Sequence, residues 1–250
     1  MFRKGASHLT AMANKLDIPW EPDLTDGRRL HNNYVRNLTC AYASKFADLS
    51  NALLSALQNS DYLTYALCGR AMIEIVANLR YYIFHQYRPL LDKGNLSSRD
   101  IQKLVEIDDR HLRGARFDWE SFLFQRYSKL KEDAIRQLKD KKSNVVSEAI
   151  TIRQVNAQTC IEKWAEQMPE ILIAYSLFCD LVHPNIGSNF LVASTVSGKL
   201  YFTKSKGEMV GHQIFEQSFP ILVSSTQKPF GEFLSLLMAT CWQDDELACT

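Results

Sequence analysis

Apolar residues in this chain recur mostly at three- and four-residue steps, the period of a helix with one buried face. From Arg28 to about Gln58 the series is Leu30, Tyr34, Leu38, Tyr42, Phe46, Leu49, Leu53 and Leu57. Asn59-Ser60-Asp61 interrupts it and offers an N-cap for the next helix. That helix, Tyr62 to Phe84, is almost continuously apolar, which predicts a central position in the fold. It is expected to end at Arg88-Pro89, because the residue before a proline is pushed out of the helical region. Ser97 or Ser98 is placed to cap a shorter amphipathic helix through about Leu112. Asp118 to Lys142 reads as a charged helix, Asn144 to Gln167 as a mixed one broken near Pro169, and Glu170 to His183 as a further core helix.

After Asn189 the period changes. Phe190-Leu-Val-Ala-Ser-Thr-Val and Lys199-Leu-Tyr-Phe-Thr, separated by Ser197-Gly198, predict a small β-hairpin over about 190–204. A second break is expected around Lys206-Gly207, leading to an apolar segment over Phe215–Ser225, and a closing amphipathic helix over about 230–242. Pro19, Pro22, Asp26 and Gly27 punctuate residues 1–27, which read as an extended or loosely helical leader. The sum is a mainly α fold, an irregular up-and-down helical bundle forming a single domain over 28–250 with a minor β appendage.

Composition narrows the function classes. With 250 residues, 46% of them hydrophobic and 23% charged, the chain can bury a sizeable core. A formal charge of +1 argues against broad coating of duplex nucleic acid. The six cysteines are scattered without Cys-x-x-Cys spacing, so neither a disulfide framework nor a zinc site is expected. Met1 to Trp20 lacks an apolar core of signal-peptide length, and no run approaches the roughly 18 apolar residues of a spanning helix. A cytoplasmic protein with no membrane partner and no cofactor is the expectation.

The densest chemistry lies in Tyr175-Ser-Leu-Phe-Cys-Asp-Leu-Val-His-Pro-Asn-Ile-Gly-Ser-Asn189. Asp180 and His183 sit one turn apart on an apolar helix that Pro184 forces to stop, and a polar turn with Asn185, Ser188 and Asn189 follows. On the central helix, Arg70, Glu74 and Asn78 stand at successive four-residue steps. Polar residues in line on an apolar helix need partners, and Asp180 and His183 are the candidates.

The Arg70-x-x-x-Glu74 helix and the Cys179-Asp-Leu-Val-His-Pro-Asn segment together resemble the HEPN-like group of bacterial helical proteins, over roughly residues 30–190. The resemblance implies an up-and-down helical bundle, often dimeric, in a defence or toxin–antitoxin setting. Active members of that group are metal-independent ribonucleases whose His and Arg meet at a dimer cleft. This chain departs from their pattern, because no arginine precedes His183 on its own helix, and Arg70 is the natural substitute.

Such a site cleaves RNA through the RNA's own 2′-hydroxyl. A histidine suits the proton transfers, and an arginine fork suits the charged phosphorane-like state. In that scheme His183 and Arg70 act, Asp180 orients His183, Glu74 holds Arg70, and Asn78, Asn185, Ser188 and Asn189 contact phosphate or ribose. A dimer would supply the second histidine. The plain reading of the same residues is structural: Arg70 and Glu74 neutralise one another, His183 caps its helix, and the Asn-x-Gly-Ser turn is chosen for its backbone geometry. The competing functions are therefore an RNA-directed effector, a non-catalytic protein-interaction module, and a sensor of a nucleotide or other anion. Asp108-Asp109-Arg110-His111 reads as a solvated helix surface. Tyr81, Tyr82, Phe84 and Tyr87, beside Arg80 and Arg88, read as helix packing rather than a base-stacking platform.

Overall fold

A computed structural model describes residues 2–13, 25–113, 155–184, 186–191, 193–202 and 204–242, with short pieces between 123 and 136. The fold is mainly α. The chain divides into two compact units, one made of Met1–Asp108 with Asn156–Thr250 and the other of Asp109–Val155.

The larger unit is built on a long antiparallel pair, Gly27–Gln58 (α2) and Tyr62–Tyr81 (α3). Asp26 caps α2 by accepting from the backbone N–H of Arg28 at 2.8 Å and Arg29 at 3.3 Å. The turn between the helices places Ser60 in the left-handed region, with φ 52°. Asp61 then caps α3 through the Thr64 N–H at 3.0 Å and the Thr64 hydroxyl at 2.7 Å. Phe2–Ala13 (α1) lies along α2 with Ala6 buried, and Asn51 donates to the Thr10 hydroxyl.

As its apolar circumference predicts, α3 is central. It packs against α2, Ala157–Ala165 (α6) and Glu170–Val182 (α7), with Lys204–Leu222 (α9) and Lys228–Met238 (α10) at its sides. Tyr65, Met72, Ile73, Val76 and Leu79 are fully buried, each contributing roughly 1.5–3 kcal/mol by leaving water. Opposite them, Phe46 of α2 stacks on Phe230 of α10, ring centroids 3.9 Å apart. Close approach of α3 to α7 depends on Gly69, because a Cβ there would stand 2.8 Å from the Phe178 ring.

Proline did not end α3 where expected. Tyr82–Tyr87 forms a π-helical turn, in which the Arg88 N–H bonds the Ile83 carbonyl, and Arg88–Leu91 (α4) continues with Pro89 in its first turn. Val223–Gln227 does the same before Pro229, with the Lys228 N–H on the Val223 carbonyl. Proline lacks an N–H and crowds the carbonyl four residues back, and a proline in the first turn after the wider π-turn has no such bond to break. The break expected at Lys206-Gly207 is also absent, since α9 runs unbroken from Lys204 to Leu222.

Ser98–Arg113 (α5) begins with a reciprocal cap. Ser97 and Asp100 exchange bonds, with the Asp100 N–H on Ser97 Oγ at 3.2 Å and the Ser97 N–H on Asp100 Oδ2 at 3.2 Å. Ile186–Phe190 (α8) is a short helix after α7, and Ala193–Val196 (β1) pairs antiparallel with Lys199–Phe202 (β2) around Ser197-Gly198, both at positive φ. Most of the helix expected over Asp118–Lys142, and residues 144–154 of the next, lie outside the described residues.

In the smaller unit, His111 is buried, and burial pulls its pKa from 6.5 down to about 3. The neutral ring is what the native state holds. Its contribution is complete above pH 6.5 and is lost as pH falls from there toward about 3. Over that window unfolding free energy is expected to drop by as much as ~1.4 kcal/mol per pH unit. Urea denaturation at a series of pH values, compared with His111→Met, isolates the effect. Equal pH slopes in the two proteins would refute it.

Candidate functional site

Arg70 and Glu74, one turn apart on α3, form the expected pair, with Arg70 Nε donating to Glu74 Oε1 at 3.0 Å. A third group closes the set. The Tyr175 hydroxyl of α7 donates to the same Glu74 oxygen at 2.9 Å, and the Arg70 guanidinium carbon lies 5.7 Å from the centroid of the Tyr175 ring. Burial pulls the Arg70 pKa down, but the Glu74 hydrogen bond and the charges of Cys179, Glu74 and Tyr175 raise it overall. Burial, then the bond to Glu74, pushes the Tyr175 phenol well above its ordinary range, so it stays a donor. The cluster is only partly covered, Arg70 and Glu74 being 31% and 32% exposed. Cation, carboxylate and hydroxyl satisfy one another.

His183 sits apart from that cluster. It takes extended backbone, φ −84° and ψ 149°, because Pro184 follows, and its N–H bonds the Cys179 carbonyl at 3.1 Å. The imidazole is exposed and makes no hydrogen bond or ion pair among the described residues. Helices α3 and α7 run antiparallel, with Phe178 against Gly69 and Tyr175 against Glu74. His183 therefore lies toward the Asp61 end of α3, about 9 Å of helix rise from the level of Arg70. Arg70 reaches the other way, toward Glu74.

The remaining sequence candidates are dispersed. Asp180 is exposed and lies over Gly187, where a Cβ would meet both its carboxylate and, at 3.1 Å, its carbonyl oxygen. Glycine at 187 is what lets α8 fold back on α7. Asn78 turns to α6 and accepts from the Cys160 thiol at 3.9 Å. Ser188 is half-buried, Asn189 is exposed, and Asn185 falls outside the described residues.

The most connected polar network is one the sequence reading missed. Asp108, read as solvated helix surface, is wholly buried. Its carboxylate bonds His31 Nδ1 at 2.7 Å and accepts from the Tyr87 hydroxyl at 2.9 Å. His31 Nε2 lies 3.2 Å from Thr240 Oγ1, and the Trp242 ring packs edge-on at 5.3 Å. Asn32 clamps the Trp242 backbone twice, accepting from its N–H at 2.9 Å and donating to its carbonyl at 3.0 Å. Hydropathy hides such a residue. The clue was spacing, since Leu104, Asp108 and His111 fall on one stripe of α5. Aspartate, histidine and a hydroxyl in this order suggest nucleophile activation. Here the hydroxyl donates to the Leu237 carbonyl at 2.7 Å and His31 is sealed from solvent, so the network is a structural lock.

Among the described residues no group of three His, Cys, Asp or Glu is placed to hold a metal ion, and no helix is long and apolar enough to cross a membrane. Cys40, Cys68, Cys160, Cys179 and Cys241 are free thiols, with Cys160 pushed up to about 12 by burial. No protein-family model, curated protein or solved structure matches the chain.

Proposed function

We propose that the chain is a HEPN-like helical interaction module of a bacterial defence or toxin–antitoxin system, whose contact face runs along α3 and α7. The closed Arg70–Glu74–Tyr175 set carries this reading. A partly exposed guanidinium whose Nε is engaged by a carboxylate and whose face is seated on a ring suits the polar centre of a protein contact. Exposed apolar side chains flank it. Leu63 and Leu67 share the α3 stripe with Arg70, and Leu172 shares the α7 stripe with Tyr175, next to Ile173. The partner is a second copy of this chain or another protein of the same system.

Leu67→Asp with Ile173→Asp is expected to abolish association, read by sedimentation. His183→Ala leaves association intact. The reverse pattern sinks the module reading and favours the second one, a metal-independent ribonuclease. That alternative rests on the exposed His183 imidazole and needs a second chain to supply the other histidine. RNA cleavage that persists in EDTA and is lost in His183→Ala would establish it.

A further inference from the structure

The far end of α3 holds a charge that the proposed contact face does not use. Arg80 lies about 15 Å along the helix from Arg70 and is only 6% exposed. Its Nη2 donates to the side-chain oxygen of Gln167, while Nη1 is sealed from solvent with no partner among the described residues. A guanidinium removed from water needs an anion or a full set of acceptors, and a neutral amide on one nitrogen supplies neither.

Its surroundings show where an anion would go. Lys163 on α6 and His85 on the π-turn are both exposed, and His85 lies within electrostatic range of both Arg80 and Lys163. Burial lowers the His85 pKa first, and the charges of Arg80 and Lys163 lower it further, against Glu166. The Glu166 carboxylate bonds Lys163 Nζ at 2.6 Å and is held down by Lys163 first, then by His85 and Arg80. Lys163 bonds that exposed carboxylate directly, and the charges of His85 and Arg80 reach it from two further elements. Glu166 and Gln167 sit on the turn between α6 and α7, both exposed, and their side chains each meet these basic groups through one hydrogen bond. Phe84 seats the Arg80 guanidinium carbon 5.2 Å from its ring centroid, and the Tyr81 ring stands 5.1 Å from His85 as a wall.

We propose that Arg80, Lys163 and His85 form a binding site for a tetrahedral oxyanion of the phosphate type, free or as the phosphomonoester of a small ligand, which displaces Glu166 and Gln167. The arginine fork would take two oxygens through Nη1 and Nη2, and Lys163 would supply a point charge at the rim. The Tyr81–His85 wall lies where an ester substituent would emerge.

The test uses the whole chain, with inorganic phosphate and phenyl phosphate as probes and sodium chloride at matched ionic strength as the control. Both probes are expected to raise Tm above the chloride control and to give saturable binding by calorimetry. Lys163→Ala weakens that binding about tenfold, and Glu166→Gln strengthens it by removing the competing carboxylate. Both residues are exposed, so neither variant disturbs folding. Tighter binding of phenyl phosphate assigns the site to an ester, and equal or weaker binding to free phosphate. Absence of any shift beyond the chloride control overturns the site. So does a shift that Lys163→Ala and Glu166→Gln leave unchanged.

Discussion

Asp108→Ala is expected to destabilise the protein by about 2–6 kcal/mol, since two buried groups each lose their hydrogen-bond partner at about 1–3 kcal/mol apiece. The carboxylate touches both His31 Nδ1 and the Tyr87 hydroxyl, and all three groups are sealed from water. Deleting it leaves two buried polar groups facing a void, and an unmade hydrogen bond in the interior costs more than a made one contributes. The loss spreads beyond α5, because His31 also contacts Thr240 and Trp242, which tie the C-terminal turn to α2. Urea denaturation should show a lower midpoint with an unchanged slope. Arg110→Ala, two residues on at an exposed position, should stay within about 0.5 kcal/mol of the parent. A loss below about 1 kcal/mol for Asp108→Ala would mean that the network is not what holds α5 in place.

Phe178→Ala is expected to cost a similar 3–5 kcal/mol, for a different reason. The ring is fully buried, packs edge-on against Tyr65 at 5.6 Å and fills the space that Gly69 leaves open. No smaller side chain reaches from α7 to that glycine, so the cavity persists. Tyr175→Phe removes only the hydroxyl that meets Glu74 and should cost about 1.5–3 kcal/mol, the range for a hydrogen bond to a charged group. If the two variants came out equal, polar closure rather than packing would be joining α3 to α7.

These two sites mark what could and could not be read in advance. The cap of α3 was legible, since Asn59-Ser60-Asp61 announces its start locally, and the stop at His183 follows from the next residue being proline. Local rules failed where a neighbour distant in sequence decides. The break expected at Lys206-Gly207 falls inside α9, whose next glycine, Gly211, leaves the room that the Tyr62 ring takes. Asp108 looked solvated because its partners stand 77 and 21 residues away. The Arg70–Glu74 pair was visible as a four-residue step, but the Tyr175 hydroxyl that completes it comes from 101 residues downstream. Periodicity ranks faces of one helix. It does not say which helices are neighbours.

The π-turns have a consequence for how this chain tolerates change. A turn that bonds across five residues instead of four is, in evolutionary terms, a one-residue insertion absorbed within a helix. The register that results is the one in which Tyr87, the last residue of Tyr82–Tyr87, delivers its hydroxyl to Asp108. Deleting a single residue there would rotate everything downstream by about 100° and carry that phenol away from the carboxylate. Substitutions in this segment can be judged one side chain at a time. A frame-preserving deletion cannot, because it would uncouple the end of α3 from the lock around His31.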